Sequence, residues 1–428
     1  MKMEIPPHFH ITEEILSIQA YNSLMQKRQK IAIVYDWIDK WGGVERVLLA
    51  LHEMFPQAEF FTSYYDPEKA SWSKNLKIKT SFMQKLPSFI KSNRIASLPF
   101  YPYVFESFDF TGYDLVISVT SSFAKSIITR PDTLHICYLL TPTRYLWIYP
   151  EIYFKNKLTR ALLSNYMAKL REWDFIVAQR PDQIISISKT VADRCTKYYQ
   201  RESEVIYPPF DIEYWNNIKS QFPIFNFQSN PNFQFSKNKK YFLVVSRLER
   251  YKRLDLAIKA LSQMIPIRSR PRPPRYAKRY GQVSNIGNKN ATNLVIVGEG
   301  SEQNRLKKMS NNNILFLNKL NDRELGYLYS KAEALIMPQE EDFGYVSLEA
   351  QFFGCPAIAY KKGGATETIS EGKTGIFFDE QNVNSLKNAL IKYNMVKYEL
   401  KNNTTKFGRK NIEKYSKYKF KTKFSEYL

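Results

Sequence analysis

Glu340-Glu341-Asp342-Phe343-Gly344-Tyr345-Val346-Ser347-Leu348-Glu349-Ala350-Gln351-Phe352-Phe353-Gly354 stands between two short apolar runs, 334–337 and 355–359. The pattern predicts strand, loop, helix, strand. In such a unit, ligands sit in the crevice beyond the carboxyl ends of the strands. Gly344 lets the backbone approach a ligand closely, and a helix opening near Val346 and Ser347 aims amides at it. Glu341 in the loop and Glu349 one turn into the helix bracket that start. Amides flanked by acids suit a ligand with phosphate at its centre and hydroxyls at both ends, as in a nucleotide-sugar. The alternative is a surface loop with solvated acids.

At 428 residues, the chain exceeds what one core usually holds, and two domains are expected. Hydrophobic content of 44% supports folded cores. Sixty-three Lys and Arg against 41 Asp and Glu leave a net charge of +22, which favours anionic partners without choosing among them. Cys137, Cys195 and Cys355 lie far apart with no metal-ligand spacing, which fits a reducing compartment. No apolar run is long enough for a membrane span, and the N-terminus lacks the apolar core of a signal peptide. The expected setting is cytoplasmic, with peripheral attachment to the inner face of an anionic membrane as an option.

Residues 1–29 read as an accessory extension and 30–206 as a first α/β domain. It opens on the strand KIAIV (30–34), then WGGVER (41–46) and a helical pattern. A Gly42-Gly43 pair between first strand and first helix suits a phosphate loop, and a plain tight turn equally. Further strands are expected at 59–62, 115–119, 135–140, 183–187 and 204–206. Tyr207-Pro208-Pro209 marks the boundary to a second α/β domain, 207–395, because two prolines stop the strand. Its strands are expected at 241–246, 294–297, 314–317, 334–337, 355–359 and 375–378, with helices between, including 254–264, 321–331 and 383–393. Alternating strands and helices indicate parallel sheets, and two such domains leave a cleft where small-molecule sites form. Residues 266–293 read as a basic, proline-rich surface insertion. Residues 396–428 read as a basic helical tail whose aromatics pack onto a domain.

Arg247 and Lys252 fall where the second domain's first strand meets its first helix. Cations fixed there would neutralise a diphosphate leaving group, although a pair of surface basics is the plainer reading. Gly298, in Val297-Gly298-Glu299-Gly300, turns the chain at the end of the next strand. There is no Asp-x-Asp for a catalytic divalent ion, no readable Ser-His-Asp or Cys-His set, and no full dinucleotide fingerprint.

Taken together, WGGVER (41–46), HICYLLTPTRYLW (135–147), IISISKTVADR (184–194), VIYPPFD (205–211), SRLERYKRLD (246–255), VIVGEGSE (295–302) and EDFGYVSLEAQFFGCPAIAYKKGGATETI (341–369) resemble, in order, the retaining glycosyltransferases of family 4. The resemblance implies the GT-B architecture, two Rossmann-like domains with parallel sheets facing across a deep cleft. It implies that Arg247 and Lys252 bind the donor diphosphate and Glu341 the donor sugar. Backbone amides across Phe343, Gly344, Tyr345, Val346 and Ser347 would hold sugar and phosphate, and Glu349 the ribose. Gly42 and Gly43 would lie near the phosphates and acceptor, with Glu45 on the acceptor side. Leu140 stands where similar proteins carry a histidine that touches the donor sugar. The family needs no metal or other cofactor, and its leaving phosphate takes the acceptor proton. The context most resembles bacterial mannosyltransferases of surface-polysaccharide assembly, so GDP-mannose is the first donor and a UDP-hexose or UDP-N-acetylhexosamine the second. The expected acceptor is a glycan or a lipid-diphosphate-linked sugar. A non-catalytic basic binding protein is the rival reading, with nucleic acid a disfavoured partner.

Overall fold

The computed structural model describes residues 29–153, 163–222, 240–264, 293–318 and 320–428. The extension read at 1–29 and the insertion read at 266–293 lie outside these residues, apart from Gln29 and Asn293. The chain divides into two compact units. The first runs to Phe210 and takes in Tyr415–Leu428, and the second is Asp211–Lys414. The sequence reading placed its divisions at 206/207 and 395/396 instead.

The first unit holds a seven-stranded sheet. Its strands are β1 (Ile31–Tyr35), β2 (Glu59–Thr62), β3 (Lys77–Thr80), β4 (Leu115–Thr120), β5 (Leu134–Leu139), β6 (Gln183–Ser186) and β7 (Glu204–Val205), in the order β3-β2-β1-β4-β5-β6-β7. All neighbours pair in parallel. β1 and β4 are buried on both faces: β1 (IAIVY) is apolar throughout, and β4 (LVISVT) buries Ser118 and Thr120 among its apolar residues. Strand β3 was not foreseen: KIKT has one apolar residue among lysines and lies exposed at the sheet edge, where sequence carries little strand signal.

The second unit holds six parallel strands, β8 (Tyr241–Val245), β9 (Asn293–Val297), β10 (Ile314–Leu317), β11 (Leu335–Met337), β12 (Ala357–Tyr360) and β13 (Gly375–Phe378), ordered β10-β9-β8-β11-β12-β13. That is the doubly wound Rossmann order. In both sheets the order reverses beside the first strand, so the switch points lie between β1 and β4 and between β8 and β11.

The helix expected at 383–393 runs on to Ile412. Its inward positions continue through Leu400, Thr404, Gly408 and Asn411, which are buried but mostly not hydrophobic, so the apolar periodicity fades while the helix does not. A Cβ at Gly408 would lie 2.9 Å from the Gln351 carbonyl, so glycine permits close approach of this helix to Tyr345–Phe352. The last helix, Lys417–Ser425, packs Phe420 edge-on to Tyr138 at 5.8 Å, as the interleaved aromatics suggested.

Candidate active site

The second unit's switch point is built from the loops that follow β8 and β11. Lys252 closes the short 3₁₀ turn Arg250–Lys252, and Arg253 behind it takes a left-handed conformation before the helix Leu254–Met264 begins. This geometry sends the buried Lys252 ammonium to Glu341, whose two carboxylate oxygens each accept from Nζ at 2.7 Å. Arg247, exposed on the same loop, donates from Nη2 to the Tyr251 hydroxyl at 2.7 Å.

The neighbouring loop, at the end of β9, explains why Gly298 is glycine. Its φ is +137°, and a Cβ there would sit 2.0 Å from the Ser246 carbonyl oxygen. The Leu248 amide donates to the Glu299 carbonyl at 2.9 Å, and the Ser301 hydroxyl donates to Glu249 at 2.7 Å. The two loops are thus laced together, and the lacing sets the path of the chain between Arg247 and Lys252.

Gly344 caps the helix Tyr345–Phe352 in the left-handed conformation, with φ of +90°. Phe343 is buried beside it, and Tyr345 and Val346 are half-buried at the opening turn. Ser347 is turned inward: its amide donates to the Gly344 carbonyl at 3.0 Å and its hydroxyl to the same carbonyl at 2.8 Å. The Ser347 amide therefore serves the turn, unlike the expectation that it faces a ligand. Glu349 is buried and accepts from the Tyr329 hydroxyl at 3.0 Å.

Three supporting groups were not foreseen. Gln339, buried directly after β11, donates from Nε2 to Glu341 at 2.6 Å and fixes the carboxylate that Lys252 grips. Gly363 and Gly364 underlie the loop: the Gly364 amide donates to the Glu341 carbonyl at 2.7 Å, and a Cβ at Gly364 would fall 2.3 Å from the Phe343 Cα. Thr368, which donates to the Gly364 carbonyl at 3.1 Å, lies 2.8 Å from the Ser347 hydroxyl. The glycine pair was visible in the sequence. What it touches was not.

In the first unit, Gly42 is extended (φ −176°) and caps the helix Gly43–Met54. Glu45, buried in the first turn, folds its carboxylate back so that Oε2 would meet a Gly42 Cβ at 3.1 Å. Nothing approaches a Cβ at Gly43 within 4 Å, so packing does not demand glycine there. Leu140 follows β5, buried, with its amide donating to the Thr120 carbonyl at 2.8 Å.

Beside it, Asp36 at the end of β1 is wholly buried. Its carboxylate accepts from the Ser121 amide at 2.7 Å, the Phe123 and Ala124 amides at 2.9 Å, and the Thr120 hydroxyl at 2.8 Å. Burial, followed by the charges of Glu45, Asp36 and Asp39, pushes the adjacent Tyr35 phenol well above its ordinary pKa. A second buried carboxylate, Asp174, accepts from Lys125 at 2.6 Å, Trp147 at 2.7 Å and Tyr199 at 2.9 Å.

Residues 226–411, most of the second unit, match the family model for glycosyl transferases group 1. An alpha-1,3/1,6-mannosyltransferase ALG2 of Dictyostelium discoideum is 27% identical over 208 residues, 45% of this chain and 48% of that protein. A GDP-mannose-dependent alpha-(1-6)-phosphatidylinositol monomannoside mannosyltransferase of Mycolicibacterium smegmatis is 31% identical over 112 residues, 23% of this chain and 29% of that protein. These matches span about half the length of the first relative and less of the second. Among solved structures, Anabaena Alr3699/HepE in complex with UDP and glucose superposes with a TM-score of 0.64 at 17% identity, covering 93% of this chain and 99% of that one.

The architecture is therefore that of the GT-B glycosyltransferases. The group 1 signature lies in residues 226–411 of the second unit, and the likeness to the solved structures is one of fold.

Proposed function

We propose that the protein is a retaining hexosyltransferase, moving mannose from GDP-mannose to a glycan or lipid-diphosphate-linked acceptor without a catalytic metal. The observation that carries the reading is the Lys252–Glu341 pair at the switch point, beside a left-handed Gly344 that opens a helix. Lys252 and Arg247 would take the charge of the departing diphosphate. Glu341 would exchange part of its hold on Lys252 for the donor sugar's hydroxyls. Amides from Phe343 to Val346 would face sugar and phosphate, and Glu349 the ribose. The acceptor oxygen bonds to the anomeric carbon on the face that the phosphate oxygen leaves, and the acceptor's proton passes to that oxygen. Fixed charge aimed at a developing phosphate anion is a large catalytic term. Gly42, Gly43 and Glu45 are the first unit's candidates for the acceptor side. The names of the mannosyltransferase relatives support the donor, and a lipid-linked acceptor places the work at an anionic membrane face.

A uridine donor, carrying a hexose or an N-acetylhexosamine, is the second reading. It is favoured by the UDP and glucose in the Anabaena neighbour and by Leu140 in place of the family histidine. Thermal-shift and turnover measurements with GDP-mannose and the UDP-sugars, with and without EDTA, separate the two. Glu341→Gln and Lys252→Met are each expected to lower turnover by about 10²- to 10³-fold with unfolding unchanged. Full activity in both variants would sink the site assignment. Stabilisation by no nucleotide-sugar would return weight to a non-catalytic basic binding protein.

A further inference from the structure

The chain after β1 (36–42) and the chain after β2 (63–73) leave neighbouring parallel strands of the first unit. They are joined three times. The Ile38 amide donates to the Tyr64 carbonyl at 2.9 Å, the Asp66 amide to the Ile38 carbonyl at 2.9 Å, and the Trp72 indole to the Lys40 carbonyl at 2.7 Å. The last of these fixes the Trp72 ring beside Trp41, with centroids 6.2 Å apart and planes at 56°. On Trp41 the Arg46 guanidinium lies 5.9 Å from the ring centroid. Even so, Trp41 is 44% exposed, and no other of the six tryptophans is exposed. A lone surface aromatic needs no explanation. Two rings locked at an angle, at the carboxyl ends of adjacent parallel strands, form a shaped surface where such sheets bind ligands. The helix Gly43–Met54 begins beside Trp41, and nothing lies within 4 Å of a Gly43 Cβ, so this side of the loop is open. The same loop holds a polar pair with unused capacity. Asp39 binds Arg94 through Oδ2, while Asp39 Oδ1 and Arg94 Nη1, both buried, have no partner.

We propose that Trp41 and Trp72 form a saccharide subsite, on which a pyranose ring of the acceptor stacks. The proposal rests on the glycan-acceptor reading above and narrows it: the acceptor already carries a sugar, and a bare lipid phosphate does not fill the subsite. A pyranose turns a face of weakly positive C–H bonds to the negative face of an indole, while its hydroxyls project around the rim. A rim hydroxyl both donates and accepts, so it can serve Asp39 Oδ1 and Arg94 Nη1 together. Arg94, with 25% of its side chain accessible, has room to shift toward it. A nucleobase offers the flat face without the rim of hydroxyls, and an open polyol offers the hydroxyls without the face. A sugar ring has both.

The test is the fluorine NMR spectrum of the full chain labelled with 5-fluorotryptophan, its Trp41 and Trp72 lines assigned by Trp41→Phe and Trp72→Phe. Methyl glycosides of mannose, glucose, galactose and N-acetylglucosamine are titrated, with sorbitol, GMP and UMP as controls. Both lines are expected to move with at least one glycoside and with none of the controls, while the other tryptophan lines stay. Trp41→Ser, at an exposed position, should leave urea unfolding unchanged yet weaken the glycoside effect on the Trp72 line at least about tenfold. Trp41→Phe, which keeps a ring, should retain most of the effect. Lines that no glycoside moves, equal movement with sorbitol, movement with GMP or UMP instead, or wild-type affinity in Trp41→Ser each overturn the proposal. So do lines that shift with protein concentration alone, which would give the rings to a second copy. The titration uses neither nucleotide-sugar nor turnover. A missing donor shift therefore counts against the transferase reading, and a missing glycoside effect against this subsite alone.

Discussion

Where the strand order reverses, two loops leave each sheet side by side, and the two units fill that place in opposite ways. In the first, the loop after β4 wraps the Asp36 carboxylate with three amides and a hydroxyl, and none of it reaches solvent. In the second, the loops after β8 and β11 meet through a lysine and a glutamate, with the Glu341 side chain still 15% accessible. A carboxylate with its lone pairs filled by backbone is a structural fastener. A carboxylate held by one ammonium and one amide side chain can exchange partners when a polar ligand arrives. The same topology thus yields a closed joint in one unit and an open one in the other, and the difference lies in which group type sits at the strand end.

The largest effect should come from breaking the closed joint. Asp36→Ala strands three buried amides at once and is expected to cost about 3–5 kcal/mol in urea unfolding. Nucleotide-sugar binding by the surviving folded fraction should be intact. Less loss than from any exposed substitution would show that the loop reorganises and that the joint is not structural. Next comes Gly298→Ala, which adds left-side backbone strain to a clash with a carbonyl that cannot move alone, roughly 1–3 kcal/mol. Gly344→Ala should cost less, about 1–2 kcal/mol, because the nearest neighbours of its Cβ would be side-chain atoms, Thr368 Oγ1 at 3.3 Å and Met337 Cε at 3.4 Å, and no carbonyl. The reverse ranking would mean that the Glu340–Gly344 loop, and not the β8–β9 lacing, is the stiffer part of the site.

Sequence made the strands legible because buried parallel strands are written as short apolar runs, such as Ile31–Tyr35 and Tyr241–Val245. It failed at Lys77–Thr80, where an exposed edge needs no apolar residues, and beyond Tyr393, where small and polar residues carry the helix's inner face. Of the site, charged residues at strand ends were visible by position: Arg247, Lys252 and Glu341 all lie within a few residues of an apolar run. Their supports were not. Gln339 and Gly363–Gly364 act through contacts made across the chain, and no local pattern distinguishes a glutamine that orients a carboxylate from one on a surface. Asp36 was passed over for the same reason, since its partners lie more than 80 residues away.

At neutral pH the last test shows nothing, and in acid it asks how far the first unit tolerates buried polar groups that cannot charge. His135, on β5, is fully buried with Nε2 2.8 Å from the Ser118 hydroxyl. Burial first, then the charge of Arg180, lowers its pKa to about 3. The unfolded chain takes up this proton near the ordinary value of about 6.5, while the folded chain refuses it. The folded pKa is the depressed one, so this contribution is fully present above about pH 6.5 and is lost as pH falls toward 3. Across that window the slope approaches one proton, about 1.4 kcal/mol per pH unit. His135→Gln keeps a hydrogen-bonding group at the strand and removes the titration. Its unfolding free energy should therefore fall less steeply with acid than the wild type's, by close to one proton between about pH 6 and 4, with both curves sharing the carboxylate contributions. Parallel curves would show that the imidazole is charged in the folded state. The first unit would then hold an accessible ionisable group behind its closed joint, and the contrast with the second unit would narrow to Asp36 alone.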